Sequence, residues 1–181
     1  MAKGRKLRIL FMILILVVTV GCDQTTKHLA RAKLGQLGAV STLNGLVELR
    51  TAENSGGFLS LGSSWPLLVR VGVFGLGTGA ILLWAAFYSV RCRELDWRVA
   101  AGLSLMVAGG TSNLVDRVSR QGLVTDFIML RFGWLQTGVF NFADVVVMLG
   151  TGLLILAYWS SSQSGRGTSG QTSGNSGKPK A

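Results

Sequence analysis

Val139-Phe140-Asn141-Phe142-Ala143-Asp144-Val145-Val146-Val147-Met148-Leu149 opens an apolar run, residues 139–159, with a carboxylate at its mouth. The run matches the roughly 20 residues that cross a bilayer. An ionisable group in such a segment is costly to desolvate and is by default a functional candidate. Three further runs lie at 9–22, 67–90 and 99–115. The second is as long as the last, while the first and third are short but tolerable as spans. The reading is an all-α membrane protein with four transmembrane helices in one domain, 1–159. Residues 160–181, rich in Ser and Gly, read as a disordered cytoplasmic tail.

Composition supports this class. Of 181 residues, 49% are hydrophobic and 14% charged, too apolar for an ordinary soluble domain. The net charge of +10 could point to nucleic acid, but its distribution does not. Lys3, Arg5, Lys6 and Arg8 precede the first run, and Arg91, Arg93 and Arg98 fill the short link after the second. Such density marks the cytoplasmic side and places both termini there. No aromatic-basic surface accompanies the charge, so no nucleic-acid partner is expected. Trp65 and Trp134 fall near the outer interface, Trp97 and Trp159 near the inner one. Cys22 and Cys92 lie at opposite ends of the bundle and cannot pair within one molecule.

With this topology, residues 23–64 and 118–138 form outer loops. Residues 46–51 alternate as a half-buried strand does, 54–57 read as a turn, and 58–61 as a return strand. Asp23, Lys27, Asn54, Asn113, Asp116, Arg117, Asp126, Asn141 and Asp144 come from separate segments, yet all arrive at the outer face. Two carboxylates sharing one proton can hydrolyse a peptide bond: one activates water while the other polarises the carbonyl. Asp126 and Asp144 are the candidates. His28 is the sole histidine, so neither a zinc site nor a serine–histidine triad is favoured, and no cofactor is expected.

Each residue also has a plainer reading. Asn141 and Asp144 could cap the fourth helix. Asp116-Arg117 could be a surface ion pair, and Asp23 with Lys27 an i, i+4 pair beyond the membrane. Asn54 before Gly56 and Gly57 is ordinary turn chemistry. The convergence of all of them favours a site.

Asp23-Gln24-Thr25-Thr26-Lys27, Asn54-Ser55-Gly56, the stretch from Gly110 to Arg117, Val124-Thr125-Asp126-Phe127 and Phe140-Asn141-Phe142-Ala143-Asp144 together resemble the ordered motifs of the lipoprotein signal peptidases. The resemblance runs from Asp23 to Asp144. It implies a multi-pass aspartic endopeptidase of the bacterial inner membrane, with its site near the outer face. The implied reaction removes the signal peptide from prolipoproteins just before a cysteine carrying diacylglycerol. Asp126 and Asp144 would be the catalytic pair. Asn113, Arg117 and Asn141 would orient the pair and the substrate, with Asp23, Lys27, Asn54 and Gly56 in support and Asp116 structural. The resemblance also implies a small outer β-element and a short loop helix, the latter around Asp126, and inhibition by globomycin-like cyclic peptides. Two departures stand out: the order Phe58-Leu59, and Ser112 in place of a common glycine.

Other readings are distinguishable. A proton-coupled transporter using the same aspartates would carry polar residues along the whole bundle and an internal repeat, and neither is evident. A non-catalytic scaffold would tolerate loss of both aspartates. Thr19-Val20-Gly21-Cys22 after a basic start is also compatible with a lipoprotein signal cleaved at Cys22, which the later spans oppose.

Overall fold

The computed structural model describes residues 2–92 and 94–168, so Arg93 and residues 169–181 of the expected tail lie outside the described residues. Helix α1 runs Ala2–Leu37 without interruption. It continues well past Cys22, where the first apolar run ends, because Asp23 and Lys27 satisfy each other one turn apart while both are buried. It stops at Gly38, whose φ of 74° is left-handed.

Strands β1 (Val40–Thr42) and β2 (Val47–Asn54) form a hairpin, as the alternation predicts for the second of them. Residues 58–61 do not return as a strand. Phe58–Ser60 is instead a 3₁₀ turn, with Leu59 and Ser60 at φ 53° and 64°. A strand here is opposed by Gly57 N donating to Leu61 O at 2.8 Å, which folds the segment back on itself. The partner of β2 is β3 (Val124–Phe132), which takes the place of the loop helix expected around Asp126. Short β4 (Leu135–Gln136) completes an antiparallel sheet of order β1-β2-β3-β4. The strand wins because Val124-Thr125-Asp126-Phe127 is buried on both faces at once. Phe127 packs on Ala30 and Leu34 of α1, while Val124 and Asp126 line a cavity on the other side.

The other helices are α2 (Leu67–Arg91), with a π-helical segment at Val71–Gly77, α3 (Trp97–Ser119) and α4 (Phe142–Thr168). Among the described residues three helices are long and apolar enough to cross a membrane: Gly4–Leu37, Leu67–Arg91 and Phe142–Ser162. Helix α3 packs against the other three and spends its buried face on Ser104, Ser112 and Asp116, which explains its lower apolarity. Helices α1, α2 and α4 instead present large apolar side chains outward, Leu68 and Leu83 among them. The chain thus has the character of a multi-pass membrane protein, in which small residues let helices pack closely.

The α3–α4 seam shows this directly. A Cβ at Gly102 would lie 2.9 Å from Gly150 O, and one at Gly150 would lie 2.7 Å from Gly102 O. A Cβ at Gly109 would lie 2.5 Å from Ala143 O. Three glycines therefore bring the first turn of α4, with Asp144, against α3. At the other end, Arg8 is buried and donates to Cys92 O at 2.5 Å, tying α1 to the link after α2.

Candidate active site

Asp126 and Asp144 reach one cavity from different elements, the start of β3 and the first turn of α4. A chain of amides joins them. Asn141 Nδ2 donates to Asp126 Oδ1 at 2.7 Å and to Asn113 Oδ1 at 3.1 Å, and Asn113 Nδ2 donates to Asp144 Oδ1 at 2.9 Å. Asn54 Nδ2 holds the second Asp126 oxygen at 2.8 Å. Asn141 N donates to Asp144 Oδ2 at 3.1 Å and Asp144 N to Asn141 Oδ1 at 2.9 Å. That reciprocal pair is a capping box built from Asn and Asp. The capping reading of Asn141 and Asp144 is therefore true, and the same pair still faces the cavity.

Beneath the two carboxylates sits a buried charged cluster. Lys27 Nζ uses its three donors on Asp23 Oδ2 at 2.7 Å, Asp116 Oδ2 at 3.1 Å and Asn113 Oδ1 at 2.8 Å. Asp23 also accepts from Ser112 Oγ at 2.7 Å and Ala143 N at 2.8 Å, while Asp116 accepts from Gln24 Nε2 at 2.9 Å and Thr125 N at 3.1 Å. Neither the surface pair Asp116-Arg117 nor a solvated Asp23–Lys27 pair forms. Both aspartates lock α1, α3, α4 and β3 together through one ammonium. Ser112 and Gln24 belong to this network, and residue-by-residue reading had singled out neither for it. The signal for Gln24 is its place one residue after Asp23; for Ser112 it is one helical position before Asn113.

Arg117 approaches from the other wall. Its Nη2 donates to Gly56 O at 2.6 Å and its guanidinium lies 5.7 Å from the Phe74 ring centre. Gly56 is held in turn by Asn54 Oδ1, which accepts from Gly56 N at 2.9 Å. A Cβ on Gly56 would collide with Leu61 O, so only glycine fits this turn. All ten residues expected at the site, from Asp23 to Asp144, thus belong to one connected assembly.

The cavity measures about 650 Å³ and runs from Asn54, Asp126 and Asp144 down an apolar wall of Phe74, Val147 and Ile155. Burial, and then the charge of nearby Asp144, outweigh the hydrogen bonds from Asn54 and Asn141 and raise the Asp126 carboxyl to about 7. Near neutrality Asp126 can therefore carry a proton beside a second carboxylate, as a shared-proton pair requires. Among the described residues no group of three or more His, Cys, Asp or Glu could hold a metal ion.

Comparisons with known proteins bear on the family of the chain. The family model described as signal peptidase (SPase) II matches residues 15–160. The lipoprotein signal peptidase of Leifsonia xyli subsp. xyli is 34% identical over 156 residues, covering 80% of this chain and 66% of the relative. That of Clostridioides difficile is 30% identical over 149 residues, covering 80% and 91%. A solved structure titled as a bacterial membrane enzyme aligns with a TM-score of 0.70 at 23% identity, covering 92% of this chain and 94% of the other. A second, with the same kind of title, aligns with a TM-score of 0.69 at 24% identity. At that identity the two structures speak for the fold alone. A family match across most of the chain and a buried pair of aspartates at one cavity lead to one conclusion: this chain belongs to the signal peptidase II family of peptidases.

Proposed function

We propose that this chain is a membrane aspartic endopeptidase that removes signal peptides from diacylglyceryl-modified prolipoproteins, cutting before the lipidated cysteine. The observation that carries the proposal is the pairing of Asp126 and Asp144 through Asn141 and Asn113 at the head of an apolar cavity. In the reaction, the ionised carboxylate takes a proton from water. The water oxygen attacks the scissile carbonyl, and the partner carboxyl donates its proton towards the developing oxyanion. Collapse of the tetrahedral species passes a proton to the leaving amine. Asn54, Asn113 and Asn141 fix the carboxylates without adding charge, and Arg117 with Gly56 shapes the rim where the substrate backbone enters.

The cavity suits a signal peptide because its lower wall is apolar and is lined by both α2 and α4. A signal helix could lie there with its unwound outer end at the aspartates, where its backbone is open to attack. In this reading all four helices span the bacterial inner membrane, α3 included, both termini are cytoplasmic and the sheet lies outside. The cationic link holding Arg91 and Arg98 supports that orientation. Cyclic peptides of the globomycin type would compete for the cavity. Cys22 lies inside unbroken α1, so this chain's own amino terminus is proposed to stay uncut. The test is incubation of the purified chain with a diacylglyceryl-modified prolipoprotein and mass measurement of both products. A new amino terminus at the lipidated cysteine supports the proposal; an intact precursor, or a cut elsewhere, refutes it.

A further inference from the structure

A second cavity of about 770 Å³ lies on the opposite side of α2 from the aspartates. Phe74 and Thr78 face the catalytic cavity, whereas Gly75 and Gly79 face this one, so α2 lies between the two, and Arg117 of α3 lines both. Its floor is a strip of α2 from Val71 to Leu83, closed on the other side by Leu114 and Val118 of α3. At about 1.5 Å per residue the strip is long enough to lay out a fatty acyl chain.

Three features mark this groove. A Cβ at Gly75 would meet nothing within 4 Å, and one at Gly79 only the Leu114 Cδ2 at 3.7 Å. Glycine in a helix interior costs about 1 kcal/mol against alanine, and among the described residues no close packing contact at Gly75 offsets it. The same stretch of α2 holds the π-helical segment Val71–Gly77, which widens the helix beside the groove. At the outer end stands Arg70, with one long bond to Ser55 O at 3.4 Å. Among the described residues no carboxylate lies within ion-pair distance of Arg70, and the Nε of both Arg70 and Arg117 is buried without a partner. A guanidinium with a buried spare donor calls for an anionic oxygen.

We propose that this groove binds one anionic diacyl phospholipid of the surrounding bilayer. Its phosphate sits on Arg70 beside the Arg117 Nε, and an acyl chain lies over Gly75 and Gly79. Charge complementarity selects the anionic lipid over an uncharged diacylglycerol, and α2 separates the acyl-chain groove from the peptide-binding cavity, the two meeting only at Arg117.

The test uses the full chain in detergent micelles with dioleoyl phosphatidylglycerol, dioleoyl phosphatidylcholine or dioleoylglycerol added separately, read by native mass spectrometry. One phosphatidylglycerol should be retained per chain, in preference to the other two lipids. Arg70→Gln should weaken that retention about tenfold. Gly79→Leu should abolish it while prolipoprotein cleavage continues, since Gly79 does not touch the catalytic cavity. Equal retention of either other lipid, or parent-like retention by both folded variants, overturns the proposal.

Discussion

Lys27 shows at residue scale why the site needs its buried charges. Its ammonium has no exposure and faces Asp23, Asp116 and Asn113 at once. Lys27→Met would leave two buried carboxylates without their cation. The expected loss is about 3–5 kcal/mol of stability, measured by unfolding in detergent. Stability close to that of the parent would show that the cluster is hydrated. In the proposed mechanism Asp126 sets the pH dependence. Its carboxyl ordinarily titrates at 3.8 and is raised to about 7 in the fold, so the protonated form is favoured by folding. The corresponding stability is fully present below 3.8 and is lost as pH rises through about 7. The shared proton is lost over the same window, so kcat/KM should fall above pH 7 and the thermal midpoint of the parent should fall with it. A rate that keeps rising well above that pH would remove Asp126 as the proton carrier. The aspartates could be picked from sequence because carboxylates beside apolar runs are rare. The part of Gln24 could not, since a glutamine on an outer helical turn carries no such contrast until its Asp116 partner is known.

At the scale of elements, the α3–α4 seam decides where Asp144 stands. Gly109→Ala would push a Cβ to 2.5 Å from Ala143 O, next to the turn that carries Asp144. The expected outcome is a cost of about 1–3 kcal/mol and a drop in kcat, because α4 must move away from α3. Unchanged kcat with an unchanged unfolding midpoint would mean the seam yields freely. The helices were readable from their apolar runs, and β2 from its alternation. The strand β3 was not, because Val124-Thr125-Asp126-Phe127 is buried on both faces and gives no two-residue period. The length of α1 was hidden for a related reason. Asp23 and Lys27 look like the end of a membrane segment when counted as charges, yet as a buried pair they prolong the helix. The turn at Phe58–Ser60 depends on left-handed Leu59 and Ser60, which no residue preference foretells.

At the scale of the whole molecule, the proposed topology puts the sheet and the aspartates outside and the link between α2 and α3 inside. Ser63→Cys and Glu94→Cys, both at exposed positions, test this in a chain whose own two cysteines are replaced. A membrane-impermeant maleimide applied to spheroplasts should label the first directly and the second only after permeabilisation. The opposite pattern would invert the topology. Buried polar groups are distributed in keeping with a site at one end. Away from the aspartates they comprise Arg8 and the hydroxyls of Thr19, Ser89 and Ser104, with no carboxylate to relay protons, which disfavours a transport pathway among the described residues. In the proposed function Asp126 and Asp144 act as one hydrolytic unit. Its most direct test is cleavage of a diacylglyceryl-modified prolipoprotein by the parent, Asp126→Asn and Asp144→Asn, each shown to be folded. Cutting by the parent and a loss of at least about a thousandfold in either variant are expected. Near-parental turnover in either one would contradict the proposed function.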